Sequence, residues 1–237
     1  MDLGVSGITA LVVLGAPHSG TTLMATAIGA HRAVAMLYEE YTGAMFNVIG
    51  GKIPAVKLCT PLQVDLDRRW RGYYDAVLWN GWMRKRIGYR LPRSRLSLRD
   101  MSRRAKLKIV CMLRDPVNNI ASLRRREGRS DVLTHDMLRR TYRLYRQLLD
   151  EPLIDTRMVS FEQFVLAPEE KLRGLCQWAG LDYDPQMLTA PRLNPLYPEG
   201  GFRRDKAASS RDADSRHDGL ELRELWSDHR ALLARAL

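Results

Sequence analysis

The sequence LVVLGAPHSGTT at residues 11–22 decides the fold, because it passes from an apolar run into a loop of small residues. An all-apolar run that ends in a glycine is typical of a central parallel strand covered on both faces. Beyond Thr21 the apolar residues recur at helical spacing, and Gly29 offers an end to that helix. Strand, glycine loop and helix in this order predict the opening of a βαβ unit.

A second unit of the same kind begins with the apolar run IVCML at residues 109–113. Arg114, Asp115 and Pro116 follow it, and a proline at the first helical position favours a helix that extends through Arg126. Apolar patterning predicts further helices at residues 134–149, 168–179 and 220–236, and further strands at 33–37 and 156–161. Strands that alternate with helices predict a parallel sheet.

The loop at residues 15–22 lies between a buried strand and a helix, where a glycine loop can wrap its backbone N–H groups around a phosphate. The loop that binds nucleoside triphosphates reads G-x-x-x-x-G-K-[ST], and its lysine reaches the β- and γ-phosphates. Gly15 and Gly20 match this pattern, but Thr21 occupies the lysine position. A nucleotide that donates a group other than a γ-phosphate would not need that lysine. We therefore predict an α/β, three-layer P-loop-like fold with a central parallel sheet flanked by helices, as one domain over residues 1–237.

A second anion site is indicated at the end of the strand at residues 109–113. Ligands of open α/β sheets collect at the carboxyl ends of the strands, which is where Arg114 stands. Ser122 follows eight residues later, about two helical turns on, so that the two side chains could share an anion. A surface ion pair with Asp115 and a plain helix hydroxyl is the alternative interpretation. A donor with two separated phosphates would use both this site and the loop.

The chain is strongly basic: it has 38 Lys and Arg residues against 27 Asp and Glu, a net charge of +11. Such a charge indicates anionic partners, although only seven of the basic residues are lysines and the arginine content could equally reflect codon composition. Eleven of the basic residues fall between residues 84 and 108, beside the single acid Asp100. We expect residues 60–108 to form a variable region for acceptor or partner recognition, and residues 197–219 to form a mobile loop.

Location and covalent chemistry are also bounded by the sequence. No apolar stretch approaches the roughly 20 residues of a membrane span, and no cationic leader precedes an apolar run at the first residues. Three cysteines lack CxxC spacing, so they are expected to be buried thiols rather than disulfides or zinc ligands, namely Cys59, Cys111 and Cys176. We therefore expect a cytoplasmic protein that needs no metal.

Three segments resemble the sulfotransferases that use 3′-phosphoadenosine 5′-phosphosulfate (PAPS). They are the loop at residues 17–23, the Arg114-Asp115-Pro116 turn with Ser122 after it, and the stretch at residues 160–181 that begins SFEQF. The resemblance covers roughly residues 10–50 and 107–185. It implies transfer of a sulfuryl group from PAPS, as co-substrate and without a metal, to a hydroxyl or amine acceptor.

The resemblance also implies roles for the donor-binding residues. The 5′-phosphosulfate would lie on the glycine loop, which contains Pro17, His18, Ser19, Gly20, Thr21 and Thr22. Arg114 and Ser122 match the residues that bind the 3′-phosphate. Gly201 and Arg203 match a C-terminal loop that closes over the adenosine and the 3′-phosphate, although an ordinary solvated loop is an equal alternative. The family usually has a lysine or arginine where this chain has His18, which can still donate a hydrogen bond when neutral or carry charge when protonated.

The acceptor side rests on three residues. In tyrosylprotein sulfotransferase-like members paired glutamates follow the second strand, and the second one is catalytic. Gap-free counting from His18 places that position on Glu39, so Glu39 is the expected base and Glu40 the next candidate. Lys57 resembles a lysine that often follows the next strand and points at the active centre. The acceptor itself is open: a small molecule or a macromolecule, neutral or anionic.

Two other functions compete with this interpretation. One is a P-loop nucleotide phosphotransferase that uses ATP and Mg²⁺, in which Asp115 would hold the metal. The other is a non-catalytic basic module that binds polyanions or nucleic acid through residues 84–108, where nearby aromatic residues could stack on bases. The missing loop lysine argues against the first. The helical spacing of those aromatic residues argues against the second, so no nucleic-acid partner is expected.

Overall fold

The computed structural model describes residues 7–40, 42–47, 50–67, 96–128, 130–193, 201–207 and 220–235. Within these ranges the chain forms a sheet of five strands, which are β1 (Thr9–Gly15), β2 (Val34–Tyr38), β3 (Ile53–Cys59), β4 (Lys106–Leu113) and β5 (Ile154–Ser160). The α-helices are α1 (Thr21–Gly29), α2 (Leu98–Ser102), α3 (Pro116–Glu127), α4 (Asp131–Leu149), α5 (Phe161–Leu166), α6 (Pro168–Ala179), α7 (Gln186–Leu193) and α8 (Leu220–Leu233). Short 3-10 helices lie at Ala44–Asn47 and Arg204–Ala207.

The strand order is β2-β3-β1-β4-β5, and every neighbouring pair is parallel. Strand β1 lies in the centre and is buried from its second residue to its last. Its last residue, Gly15, stands opposite Cys59 of β3 and Met112 of β4. All five strands therefore end at one edge of the sheet, and the loop after β1 lies in the middle of that edge.

Side chains alternate across β1 and form two separate apolar cores, one on each face of the sheet. Val12 and Leu14 pack on one face with residues of α3, α4 and α8. Leu11 and Val13 pack on the other face with residues of α1, α5 and α6. The helices thus form two layers around the sheet. The prediction of a three-layer α/β fold with a central parallel sheet is confirmed.

Most predicted elements are present, but some differ in their bounds and others were not predicted. The strand predicted at 156–161 ends at Ser160, because the Ser160 side chain accepts the N–H of Gln163 and so caps α5. Helices α2, α5 and α7 and the bounds of β3 were not predicted, and α7 contains Pro191. Lys57 lies within β3 rather than after it. Of the predicted mobile loop, residues 197–200 and 208–219 lie outside the described residues.

The chain between residues 68 and 95, within the predicted variable region, also lies outside the described residues. The residues on either side of it are joined. The N–H of Leu98 donates to the Asp65 carbonyl at 3.1 Å, and the N–H of Arg99 donates to the Leu66 carbonyl at 3.0 Å. The Arg99 side chain reaches Asp67 at 2.6 Å. The two described flanks of this stretch therefore lie side by side.

The three cysteines are free and buried, as predicted. In the ranges that the structure covers, no helix is both long and apolar enough to cross a membrane. Those same residues contain no group of three or more His, Cys, Asp or Glu side chains placed to hold a metal ion.

Candidate active site

The sequence-predicted site residues come together at the carboxyl edge of the sheet, where ligands of parallel α/β sheets bind. Glu39 follows β2, Lys57 lies near the end of β3, the glycine loop follows β1, and Arg114 follows β4. Phe161 follows β5. In the order of the strands, the two candidate catalytic side chains lie on one side of the loop and Arg114 lies on the other.

The loop after β1 has the backbone shape of an anion-binding turn. His18 and Gly20 both adopt positive φ, at 64° and 94°, and successive N–H groups in such turns form concavities that attract anions. A Cβ atom on Gly15 would lie 2.3 Å from the Ser19 Oγ, so only glycine fits beneath the loop. Helix α1 then begins at Thr21 with no acidic side chain in its first turn, which leaves its positive end to an anion.

Ser19 supplies a polar atom that the fold does not use. Its side chain is 1% exposed. Its Oγ has no hydrogen-bond partner among the described residues. A buried hydroxyl without a partner is costly unless a ligand or water completes it. The loop therefore fits an anionic group at this position.

Arg114 joins the end of β4 to the loop. Its Nη1 donates to the His18 carbonyl at 2.7 Å, and its guanidinium lies 4.8 Å from the centre of the Phe161 ring. Its Nε is buried and has no partner among the described residues. Burial lowers the pKa of Arg114, and the nearby carboxylates of Glu162 and Asp115 oppose that effect. Arg114 thus keeps a donor free beside the loop, which fits a second anion there.

Asp115 and Glu162 support the Arg114 turn. The Asp115 carboxylate accepts the N–H of Asn118 at 3.1 Å and caps α3, and its own N–H donates to Glu162 at 3.0 Å. Burial raises the pKa of Glu162. Ser122, the predicted partner of Arg114, is buried on α3. Asp115 is thereby engaged as a helix cap, which weakens its assignment as a magnesium ligand.

His18 has an acidic partner that the sequence analysis did not identify. Its Nε2 lies 2.8 Å from the Glu127 carboxylate, at the end of α3. The PAPS-dependent sulfotransferases usually have a lysine or arginine at this position of the loop. This chain has a histidine there, in contact with a carboxylate. The two residues are far apart in the sequence, and no local pattern indicates the contact.

Glu39 forms the centre of the cluster on the other side of the loop. Its Oε1 accepts a hydrogen bond from the Lys57 Nζ at 2.6 Å, and its Oε2 accepts one from the Gln63 Nε2 at 3.1 Å. Burial alone would raise the pKa of Glu39, but the hydrogen bond and charge of Lys57, together with the bond from Gln63, hold it below its ordinary value. The Glu39 side chain is 44% exposed, so an acceptor can reach it.

Lys57 is almost fully buried beneath Glu39. Its Nζ also lies 3.2 Å from the Cys59 Sγ. Burial would lower the pKa of Lys57, but the neighbouring Cys59 sulfur and the Glu39 carboxylate raise it above its ordinary value. Lys57 therefore carries a positive charge near the edge of the sheet, next to β1, the strand that precedes the glycine loop.

Glu40 accepts hydrogen bonds from the residues that follow it. Its carboxylate accepts the N–H groups of Gly43 at 3.1 Å and Met45 at 3.4 Å, and it also bonds Thr42. These contacts cap the 3-10 helix at Ala44–Asn47. Burial would raise the pKa of Glu40, but the bonds from Thr42, Met45 and Gly43 lower it. In the hydrogen bonds described here, Glu39 contacts Lys57, whereas Glu40 contacts the turn that follows it.

Gly201 and Arg203 belong to a segment that lies beside α5 and α7. The Arg203 guanidinium forms a two-point ion pair with Asp205, at 3.1 and 2.6 Å. Between them Phe202 packs edge-on against Phe164 of α5, with ring centres 5.2 Å apart. The first residue of α5 is Phe161, which contacts the loop and Arg114. The segment is therefore close to the side of the sheet edge where Arg114 lies. Its own arginine, Arg203, is paired with Asp205.

An open parallel sheet with an anion-binding loop after its central strand and an arginine after the next strand defines a P-loop-like α/β protein. Residues 105–185 match the model of a sulfotransferase family. This segment contains β4, the Arg114 turn, Ser122 and the residues after β5. No curated protein sequence matches the chain.

Solved structures extend the likeness to the whole fold. The chain is similar to the sulfotransferase domain of the Synechococcus PCC 7002 olefin synthase, with 15% identity and a TM-score of 0.60 over 98% of this chain and 97% of that one. It is also similar to the sulfotransferase domain of the curacin biosynthetic pathway, with 14% identity and a TM-score of 0.57 over 98% and 100%. A mouse sulfotransferase, SULT7A1 complexed with PAP, matches with 10% identity and a TM-score of 0.52 over 96% and 84%. The predicted resemblance to the sulfotransferases is confirmed.

Proposed function

We propose that this chain is a PAPS-dependent sulfotransferase that transfers a sulfuryl group to a hydroxyl or amine acceptor. The observation that carries the proposal is the bond from half-buried Arg114 to the carbonyl of His18. It joins an arginine to the glycine loop, and Arg114 and Ser19 each have a buried donor atom that lacks a partner among the described residues. A nucleotide with two separated anionic groups matches that pair of donors.

The donor residues have distinct tasks in this proposal. The loop from Pro17 to Thr22 would bind the 5′-phosphosulfate through its backbone N–H groups and the hydroxyl of Ser19. Arg114 and Ser122 would bind the 3′-phosphate, and the segment with Gly201 and Arg203 would cover the adenosine side. Arg203 would have to exchange Asp205 for the nucleotide, because it is paired in the free protein.

The transfer itself requires one bond to form and one to break. The acceptor oxygen bonds to the sulfuryl sulfur, while the bond from that sulfur to the bridging oxygen breaks and its electron pair leaves with the bisphosphate product. Glu39 receives the acceptor proton, and His18 donates a hydrogen bond to the departing oxygen once its Nε2 exchanges Glu127 for the nucleotide. Lys57 supplies positive charge beside the sulfuryl oxygens. Positioning and charge stabilisation do most of the work in such transfers.

The electrostatics of Glu39 fit a base that acts late in the reaction. Its pKa is held below the ordinary value, so the carboxylate is ionised across the neutral range and orients the acceptor hydroxyl before it takes the proton. The ionised form is lost only as pH falls through that lowered pKa. Turnover is therefore expected to persist into mildly acidic solution as far as Glu39 is concerned.

The two competing functions have less support. Thr21 stands in place of the lysine that ATP-dependent loops use, and Asp115 caps a helix. For a polyanion-binding module, the described part of the basic stretch offers few unpaired cations. Arg99 pairs with Asp67 and Glu151, and Lys108 pairs with Asp155. Residues 84–95 lie outside the described residues.

The decisive test is thermal stability with 3′-phosphoadenosine 5′-phosphate, compared with ATP and Mg²⁺. A ligand that binds the folded state at about a hundred times its Kd stabilises it by about 2.7 kcal/mol, which gives a clear rise in Tm. We expect the bisphosphate to raise Tm and ATP with Mg²⁺ to leave it unchanged. A rise with ATP and Mg²⁺ alone would support the phosphotransferase, and a rise with neither would exclude a nucleotide enzyme. The bisphosphate is a sound probe because the mouse relative is a complex with PAP.

The proposal also covers the domain organisation, the acceptor and the cellular location. We expect residues 1–237 to work as one domain, with residues 60–108 contributing to acceptor recognition and residues 197–219 to closure over the donor. The acceptor is a small molecule or a macromolecule that presents a hydroxyl or amine group. Free buried thiols suit the reducing cytoplasm, where we expect the enzyme to act.

A further inference from the structure

A glutamine beside the candidate base has no part in the roles assigned so far. Gln63 is 1% exposed and lies in the turn after β3. Its amide contacts two groups: the Nε2 donates to the Glu39 Oε2 at 3.1 Å, and the Oε1 accepts the N–H of Cys59 at 2.6 Å. A buried amide whose two ends are both engaged is held in one orientation.

The bond to Cys59 decides which end of the amide faces Glu39. The Cys59 backbone offers a donor, so the amide oxygen must turn toward it and the NH₂ group must turn toward the carboxylate. A flipped amide would place two oxygens together and leave the Cys59 N–H without an acceptor in a buried position. Gln63 therefore always presents a donor to Glu39.

The turn that carries Gln63 is anchored to the glycine loop. The backbone N–H of Gln63 donates to the Cys59 carbonyl at 2.8 Å, and that of Thr60 donates to the Gly15 carbonyl at 2.9 Å. Gly15 begins the loop after β1. The position of the Gln63 amide is thus fixed relative to the proposed site of the sulfuryl group.

We propose that Gln63 is a positioning residue that orients the Glu39 carboxylate toward the acceptor hydroxyl. The terminal torsion of a glutamate is broad and needs contacts to select one orientation. Lys57 binds one carboxylate oxygen and Gln63 binds the other, so the plane of the group is set. Each oxygen keeps a further lone pair with which it can accept the hydroxyl proton. The effect on turnover rests on the proposed function, whereas the effect on Glu39 does not.

The titratable groups that face Glu39 in its contacts are Lys57 and Cys59, both from β3. Lys57 remains in place when Gln63 is changed, so the loss of one neutral donor is separable from the loss of charge. Removal of a donor to the ionised form raises a carboxyl pKa. A carboxylate introduced at the same place raises it further through like-charge repulsion.

The experiment compares Gln63→Met and Gln63→Glu with the parent chain, and with Gln147→Met on the exposed face of α4 as a matched control. The first readout is the pKa of Glu39 from carbon NMR of a glutamate-labelled protein, with the signal assigned by its loss in Glu39→Gln. The second is the pH profile of kcat, and the third is the affinity for 3′-phosphoadenosine 5′-phosphate. Gln63→Glu keeps an acceptor for the Cys59 N–H, so one variant remains informative if Gln63→Met folds poorly.

We expect Gln63→Met to raise the pKa of Glu39 by about half a pH unit or more, and Gln63→Glu to raise it further. The acid limb of the kcat profile should move upward with it, kcat should fall about tenfold through lost orientation, and bisphosphate affinity should stay unchanged. An unaltered pKa of Glu39 in both variants would overturn the proposal. If the pKa moves but the parent chain transfers no sulfuryl group, the proposed function fails while the contact stands.

Discussion

Arg114 connects two elements that are distant in the sequence. Its guanidinium is half-buried, bonded to the His18 carbonyl and stacked over Phe161, and a planar cation with several donors suits such a position better than an ammonium. The side chain therefore supports the shape of the loop and offers a donor to a ligand at the same time. Its replacement should affect both.

Arg114→Ala is expected to lower the affinity for 3′-phosphoadenosine 5′-phosphate by about ten- to a hundredfold, because hydrogen bonds to charged groups contribute about 1.5–3 kcal/mol. Titration calorimetry measures this directly. Arg140→Ala is a suitable control, since that exposed arginine pairs with Asp136 on the outer face of α4. Unchanged affinity in Arg114→Ala would remove Arg114 from the donor site.

Individual residues show what a sequence can and cannot reveal about a site. The loop and Arg114 could be named as candidate anion-binding residues because each belongs to a short local sequence pattern. The choice of Glu39 over Glu40 depended on counting, and the structure separates them by contacts with Lys57 and with the turn at residues 42–45. Gln63 and Glu127 left no local signal, because each contributes through a partner that only the fold brings near.

Among the elements, the glycine loop is sterically constrained at Gly20. Gly20 adopts a φ of 94°, and a Cβ atom there would lie 2.3 Å from the Phe161 ring. The aromatic ring that supports Arg114 thus also closes the space beside the loop. A side chain at residue 20 would disturb the loop and the arginine together.

Gly20→Ala is therefore expected to lower the free energy of unfolding by about 1–3 kcal/mol and to weaken bisphosphate binding. Gly174→Ala is the matched control, since nothing lies within 4 Å of a Cβ atom at that position inside α6. That change should stabilise the chain by about 0.5–1 kcal/mol, because alanine favours a helix. Urea denaturation with and without the bisphosphate measures both quantities. Equal stability of the two variants would contradict the assignment of strain to Gly20.

Helix α8 packs alongside α4 through ion pairs and a buried histidine. Glu221 pairs with His135, and Glu224 pairs with Arg139. His229 is 4% exposed. Its two ring nitrogens have no hydrogen-bond partner among the described residues. Burial lowers the pKa of His229, against the opposing effect of the Asp115 carboxylate.

His229→Phe is expected to raise the free energy of unfolding by about 1 kcal/mol, since a buried polar group without a partner costs about 1–3 kcal/mol. The gain should grow on acidification. The unfolded chain binds a proton at His229 near its ordinary pKa of about 6.5, whereas the folded chain does so only at lower pH, so the parent loses stability between the two values. Urea midpoints from neutral to mildly acidic pH measure this. A variant with the same pH dependence as the parent would show that His229 does not contribute.

The best predicted elements are strands with a continuous apolar run and helices with apolar residues at helical spacing. The strands β1 and β4 and the helices α1, α3 and α6 lie where periodicity and proline or glycine boundaries placed them. Helix α7 has eight residues and contains a proline, so local preference argues against it and its packing against α1 and α6 decides. Short elements that depend on tertiary contacts have little periodic signal.

At the scale of the whole molecule, the fold class was predictable because a parallel sheet buries its strands on both faces and leaves their ligands at one edge. The high net charge predicted less. Several cations in the described residues are paired with acids from other elements, including Arg99, Lys108 and Arg139. These ion pairs already cancel within the net charge of +11, so that number alone does not show where an anionic polymer would bind on the described surface.

The joined backbone at residues 65–67 and 98–99 has a consequence for how such a protein can diversify. Two backbone hydrogen bonds hold the flanks of that stretch side by side, and the entropy of closing a loop grows only slowly with its length. The entropy of closure therefore sets no narrow limit on the number of residues between the two flanks. A chimera that carries a stretch of different length between Asp67 and Leu96 should keep its bisphosphate-induced rise in Tm while its choice of acceptor changes. On the proposed function, binding of the nucleotide and choice of the acceptor would then reside in separable parts of the sequence.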